Sequence, residues 1–193
     1  MSRYQLAPYR QFAQPYYADK DSAHNFSHIE KILNRLSTLS QGIAHSPRPD
    51  RLYFLACFHG LEKRLSTDHG FRKQVTSFLH GLAWTETEVE EIFLSLSRHI
   101  TDPKTVEEEI IHDANYIELL GAFGIAKAFT TGGARGQTIE QSAEIFEQQF
   151  LKRIKFRTPL GKRLAEGGRT YARRFLKRLR AECSNKHTGS QKR

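Results

Sequence analysis

Apolar residues recur along this chain at intervals of three and four, and nowhere convincingly at intervals of two. In SHIEKILNRLSTL the positions Ile29, Ile32, Leu33, Leu36 and Leu39 form one face of a helix. The proline-rich SPRPD (46–50) breaks the chain before LYFLACFHGLEKR, where Leu52, Leu55, Ala56 and His59 share a side. TETE (85–88) reads as a capping box that opens a helix with Val89, Ile92, Phe93 and Leu96 inward and His99 near its end. VEEEIIHDANYIELLGAFGIAKAF carries acids in its first turn, where the helix dipole favours them. TTGGARGQ (130–137) reads as a glycine-rich loop, followed by a stripe of Ile139, Ala143, Phe146, Phe150 and Ile154. Thr158 and Pro159 open a last helix, with Leu160, Leu164, Tyr171, Phe175 and Leu179 as its apolar positions and Gly167–Gly168 weakening it. The pattern predicts an all-α fold in one domain over residues 1–182, then a polar, disordered basic tail over 183–193.

Length and composition narrow the class further. With 193 residues there is enough chain for a single core. The longest apolar run, Leu52 to Phe58, is seven residues against the roughly 20 that a membrane helix needs. The N-terminus lacks the apolar core of a secretory signal, so a cytoplasmic location is the default expectation. Cys57 and Cys183 are too few and too far apart for a disulfide scaffold or a zinc ribbon. The formal charge of +9 is uneven, because residues 1–150 hold 15 Lys/Arg and 19 Asp/Glu whereas residues 151–193 hold 15 and 2. That segment suits a phosphate backbone or an anionic surface, or is a solvated helix face with a basic tail.

Three places put a metal-capable side chain on or beside an apolar face: His28, His59 and Asp113. Each histidine read alone is an ordinary core residue. Asp113, three residues after Ile110 and four before Ile117, projects near the packed side and needs a cation, a metal or a cluster of donors there.

The ordered segments HNFSHIEKI, LACFHGLEKR, SLSRHI, IIHDANYIELLGAFGIAKAF, GGARG and FEQQFLKRIKFRTPLGKRLAEGGRTYARRFLKRLRAE resemble the bacterial HD-domain phosphohydrolases, in their small single-domain branch, over roughly residues 20–182. The resemblance implies a helical bundle holding a divalent ion (Mn, Mg, Fe or Zn) through a histidine, a His-Asp doublet and a distant aspartate, and hydrolysis of phosphoester or phosphoanhydride bonds in nucleotide-like substrates. Transferred position by position, His28, His59 and Asp113 are the metal ligands. The doublet aspartate is missing, because Gly60 stands in its place. Where the family reads Asp-Ala-Asp-Arg-Leu-Asp, this chain reads Asp113-Ala114-Asn115-Tyr116-Ile117-Glu118. Glu62, on the same side of a helix as His59, or Glu118 is then the candidate to fill the vacancy or to orient water. His99 and His24 are the candidates to contact phosphate or protonate the leaving oxygen. Lys63, Arg64 and Arg135 are expected to neutralise phosphate charge, with GGARG turning backbone N–H groups toward an anion. Plain surface roles compete for all of these: a helix end for Lys63 and Arg64, a simple turn for GGARG.

Three functions follow as expectations. One is a degenerate phosphohydrolase, in which Gly60→Asp should tighten metal binding. A second is a catalytically silent relative that binds a nucleotide or a protein partner. The third is nucleic-acid or anionic-surface binding through residues 151–193. An oxygenase using two histidines and one carboxylate ranks behind them.

Overall fold

The three-and-four spacing becomes helix nearly everywhere in the computed structural model, which describes residues 2–20 and 25–184; among these no strand occurs. In chain order the helices are α1 (Leu6–Ala13), α2 (Phe26–Leu39), α3 (Pro49–Phe58), α4 (Glu62–Thr67), α5 (His69–Gly81), α6 (Glu86–Arg98), α7 (Val106–Leu119), α8 (Ala122–Ala134), α9 (Ile139–Phe146) and α10 (Pro159–Ser184). A short tight helical turn follows α1 at Gln14–Tyr17, and a widened π turn continues α9 over Glu147–Lys152. None of the described helices is long and apolar enough to cross a membrane. Residues 185–193 of the expected tail lie outside the described residues, and α10 itself runs on through Cys183 and Ser184.

Local chemistry accounts for where the helices begin. Asn25 caps α2 by accepting from the Ser27 N–H. The Thr85–Glu88 capping box is formed in full at α6, and Thr138 with Gln141 builds a second one at α9. Pro159 occupies the first position of α10, where a missing N–H costs nothing.

The described residues form two compact units, one from 2–20, 25–114 and 157–160, the other from 115–156 and 161–184. The first unit has an aromatic core. Phe12 stacks on Phe58 and Phe78, Phe54 stacks on Phe58, and Tyr9 meets Phe78 edge-on. Ile29, Ile32, Leu55, Leu79, Val89 and Ile92 are fully buried around them. Burial of this kind contributes roughly 1.5–3 kcal/mol per large side chain. Asp50 and Glu88 tie Arg3 and Arg48 beneath Trp84, whose ring lies 4.3 Å from the Arg3 guanidinium.

The second unit packs Leu120, Ile125, Phe146, Leu151, Ile154 and Leu176 together. Two expectations fail here. Residues 130–134 are not a loop: α8 continues through Gly132 and Gly133 and ends at Arg135, with the turn at Gly136 (φ +72°). Gly132 is a packing residue, since a Cβ there would come 2.1 Å from Ser142 Oγ. The inward face of α10 keeps only part of the expected stripe, Phe175 and Leu179 packing against this core. Leu164 and Tyr171 are exposed, and the buried positions are Gly161, Ala165, Ala172 and Leu176.

Candidate metal centre

The apolar helix α3 ends one residue short of its histidine. Gly60 takes φ +90°, a left-handed conformation that side chains other than glycine adopt at a cost, and reverses the chain. The last carbonyls of the helix would be orphaned there. The Tyr17 hydroxyl reaches two carbonyls at this end, Cys57 O at 2.9 Å and His59 O at 2.7 Å, and its one proton is shared between them. Lys20 Nζ donates to Gly60 O at 2.5 Å. The Gly60 N–H in turn donates to Glu62 Oε1 at 2.8 Å. The glycine therefore positions a carboxylate two residues later. Glu62 does not reach His59 as a neighbour on one helix, as the spacing suggested, but across this turn.

His99 follows α6 directly and is 1% exposed. Its Nδ1 lies 2.7 Å from Leu96 O, and since a carbonyl only accepts, Nδ1 carries the proton and Nε2 presents a lone pair. That nitrogen faces His59 Nδ1 at 2.8 Å. Glu62 Oε1 stands 3.7 Å from each of the two nitrogens. Burial holds the His99 imidazole below its ordinary pKa, outweighing the opposite pull of Glu62, so the ring is kept neutral as a ligand must be.

Arg98, one residue earlier, makes a forked bond to the fully buried Glu108, which also accepts from the Lys104 N–H. Burial would raise the Glu108 carboxyl, but these hydrogen bonds hold it below the usual range. This clasp fixes the end of α6 and with it His99.

Among the described residues, His59, Glu62 and His99 form the group whose ligand atoms approach one another closely enough to share one ion. Two ligand atoms on a divalent ion, each about 2.0–2.2 Å from it, end roughly 3 Å apart. The observed 2.8 and 3.7 Å bracket that spacing, and two imidazoles with one carboxylate are a donor set that zinc, manganese or iron accepts. The residues fit a metal.

The other expected residues are distributed as follows. His28, buried in the first turn of α2, lies beside His59 with ring centroids 5.5 Å apart. Asp113 has found the cluster of donors it needed: its oxygens accept from the backbone N–H groups of Arg157 and Thr158 and from Thr158 Oγ1, and His112 Nδ1 lies at 2.9 Å. Its carboxylate thus anchors the chain just ahead of α10. Lys63 is exposed, and Arg64 lies over the rings of Tyr16 and Phe71 while pairing with Asp68, which favours the surface reading for it. Glu118 is buried near the end of α7 in the second unit. Arg135 is the exposed C-cap of α8 in the same unit, so GGARG is a helix end rather than an anion-binding loop. His24 lies outside the described residues. The sequence presents His99 as a candidate to contact phosphate or protonate the leaving oxygen; its place beside His59, 40 positions away, is one that no motif spacing signals.

No family model matches the chain. It is similar to the Bacillus subtilis protein YpgQ, 26% identical over 189 residues that cover 88% of this chain and 89% of that one. Among solved structures it superposes on an HD-superfamily hydrolase from Bacillus thuringiensis with a TM-score of 0.75, 21% identity, and coverage of 93% and 96%. Against YpgQ in complex with ADP the TM-score is 0.73, with 17% identity in the superposed residues and coverage of 92% and 94%. The fold is therefore the all-helical HD type. Nucleic-acid binding gains no support from these likenesses.

Proposed function

We propose that this chain is a metal-dependent phosphohydrolase of the HD type acting on a nucleotide-like phosphate, with His59, Glu62 and His99 as its metal ligands. The observation that carries this reading is the convergence of those three ligand atoms at 2.8 and 3.7 Å. The HD-type fold and the ADP complex of YpgQ support the substrate class.

An ion held there supplies Lewis-acid polarisation of a phosphoryl oxygen and a lowered pKa for coordinated water. The protein's own contribution begins at Leu96 O, which fixes His99 in the tautomer with Nε2 available. With His99 Nε2 as the acceptor, His59 Nδ1 is the donor across their 2.8 Å contact; holding an ion would require that proton to sit on His59 Nε2 instead, leaving Nδ1 available beside His99. Glu62, oriented by the Gly60 N–H, supplies the negative charge that the doublet aspartate supplies elsewhere in the family. His28, against the His59 ring, limits how that ring can turn.

Titration calorimetry with Mn²⁺ on the full chain tests the reading, with phosphate release from ADP measured alongside. Glu62→Gln keeps the shape and removes the charge, and should weaken Mn²⁺ binding by about 10–100-fold or more, the loss typical of even an outer partner of a metal ligand. His59→Ala should abolish both binding and any phosphate release. Mn²⁺ binding that these substitutions leave unchanged would remove the proposed ligand set. Mn²⁺ and ADP binding without phosphate release would make the chain a nucleotide-binding relative without turnover, the reading that the loss of the doublet aspartate favours.

A further inference from the structure

On α10 the small residues turn inward and two large apolar ones turn outward. Ala165, Ala172 and Leu176 are buried in the core of the second unit, whereas Leu164 and Tyr171 are 46% and 48% exposed. Leu164 and Tyr171 stand two turns apart along one side of the helix. Arg163, Arg174 and Lys177 are exposed on the row beside them, Arg174 lying three turns beyond Arg163 and one turn beyond Tyr171. Among the described residues, none of these three cations has a hydrogen bond or an ion pair. The carboxylates of α10 are already engaged, Glu182 with Arg178 and Glu166 with Arg169.

Unpaired cations suit any polyanion, and the two apolar side chains choose among them. A phosphate backbone offers nothing to the aliphatic side chain of Leu164. The boundary between lipid headgroups and acyl chains takes both residues, Leu164 among the chains and Tyr171 with its ring there and its hydroxyl among the headgroups. Arginine and lysine lay their stems along the same boundary and keep their charged ends at the lipid phosphates. The 26 residues of α10 are not apolar enough to cross a bilayer, so the contact runs along its surface.

We infer that the outward side of α10 binds the surface of an anionic lipid bilayer, with Leu164 and Tyr171 entering the headgroup boundary and Arg163, Arg174 and Lys177 meeting the lipid phosphates. Different residues carry this inference from those of the metal centre, and it stands without the phosphohydrolase reading. Each Lys or Arg beside an anionic leaflet strengthens binding by about fivefold, so the three together contribute about a hundredfold.

Cosedimentation of the full chain with phosphatidylcholine vesicles, with and without phosphatidylserine, tests it. Binding should require phosphatidylserine and fall as salt rises. The triple variant Arg163→Gln, Arg174→Gln, Lys177→Gln should weaken it by about a hundredfold. The pair Leu164→Ser, Tyr171→Ser should weaken it by about tenfold or more at constant charge. All five positions are exposed, so the melting temperature should stay unchanged in each variant. No binding to phosphatidylserine vesicles at low salt overturns the inference, as does binding that the triple variant retains. Equal binding by wild type and the Leu164–Tyr171 variant makes the face a general polyanion surface and overturns the lipid assignment. Tighter binding to a duplex oligonucleotide than to the vesicles does the same.

Discussion

Gly60 decides the character of the site. At φ +90° its N–H meets Glu62, its carbonyl meets Lys20, and His59 is released from the helix toward His99. Replacing it with aspartate does not simply restore the missing doublet. A side chain at that φ costs about 1–2 kcal/mol, and relaxing the turn to avoid the cost withdraws Glu62. Gly60→Asp should therefore lower the melting temperature and leave Mn²⁺ affinity unimproved, in contrast to the expectation from motif alone. A tighter Mn²⁺ site at unchanged stability would contradict this, and differential scanning calorimetry beside a metal titration reads both. The histidines at 28, 59 and 99 were legible as candidates because each lies at an apolar helical face. Glu62 was legible only as a residue near His59. What brings it in is a backbone angle, and a glycine codon does not say which of its allowed conformations the fold will use.

At the level of helices, apolar spacing identified α2 and α6 well, since Ile29, Ile32, Leu36 and Leu39, and Val89, Ile92, Phe93 and Leu96, are all buried as it requires. It failed where close approach rather than large side chains builds the interface. On α10 most of the buried positions are small, Gly161, Ala165 and Ala172 beside Leu176, and a Cβ on Gly168 would lie 2.7 Å from Leu120 Cβ. Along α9 Ala143 and Phe146 are buried and Ile139, at its first turn, is exposed; beyond it, within the π turn at Glu147–Lys152, Leu151 is buried where Phe150 is only half-buried. Gly132, read as loop, is instead the contact of α8 with Ser142. Gly132→Ala should destabilise the protein by about 1–3 kcal/mol through overpacking, although alanine is the better helix former. An alanine variant as stable as wild type in urea denaturation would return that segment to the loop reading.

On the scale of the whole molecule, charge is distributed between stability and surface. In the first unit, burial raises Asp50, but the hydrogen bonds of Arg48 and Arg3 outweigh it and hold the carboxyl below its ordinary range. Glu88 is likewise depressed, first by its hydrogen bond from Arg3 and then by the Thr85 N–H. Groups whose folded pKa is depressed stabilise the fold above the unfolded carboxylate value of about 4, and that stability is lost as pH falls through the lower folded values. The melting temperature should accordingly hold from neutral pH down to about pH 5 and drop steeply below about pH 4, and less steeply in Arg3→Met. An identical slope in the variant would show that this network does not set the acid limit. Along α10, Arg178 pairs with Glu182 and Arg180 with Glu147, so part of the basic excess is spent within the fold.

The most direct examination of the site is crystallographic. Crystals grown with Mn²⁺ and measured for anomalous scattering should show a peak about 2.0–2.3 Å from His59 Nδ1, His99 Nε2 and a Glu62 oxygen. A peak that instead engages Asp113 and excludes Glu62, or no peak at saturating Mn²⁺, would contradict the claim that a glycine-directed glutamate stands in for the missing aspartate.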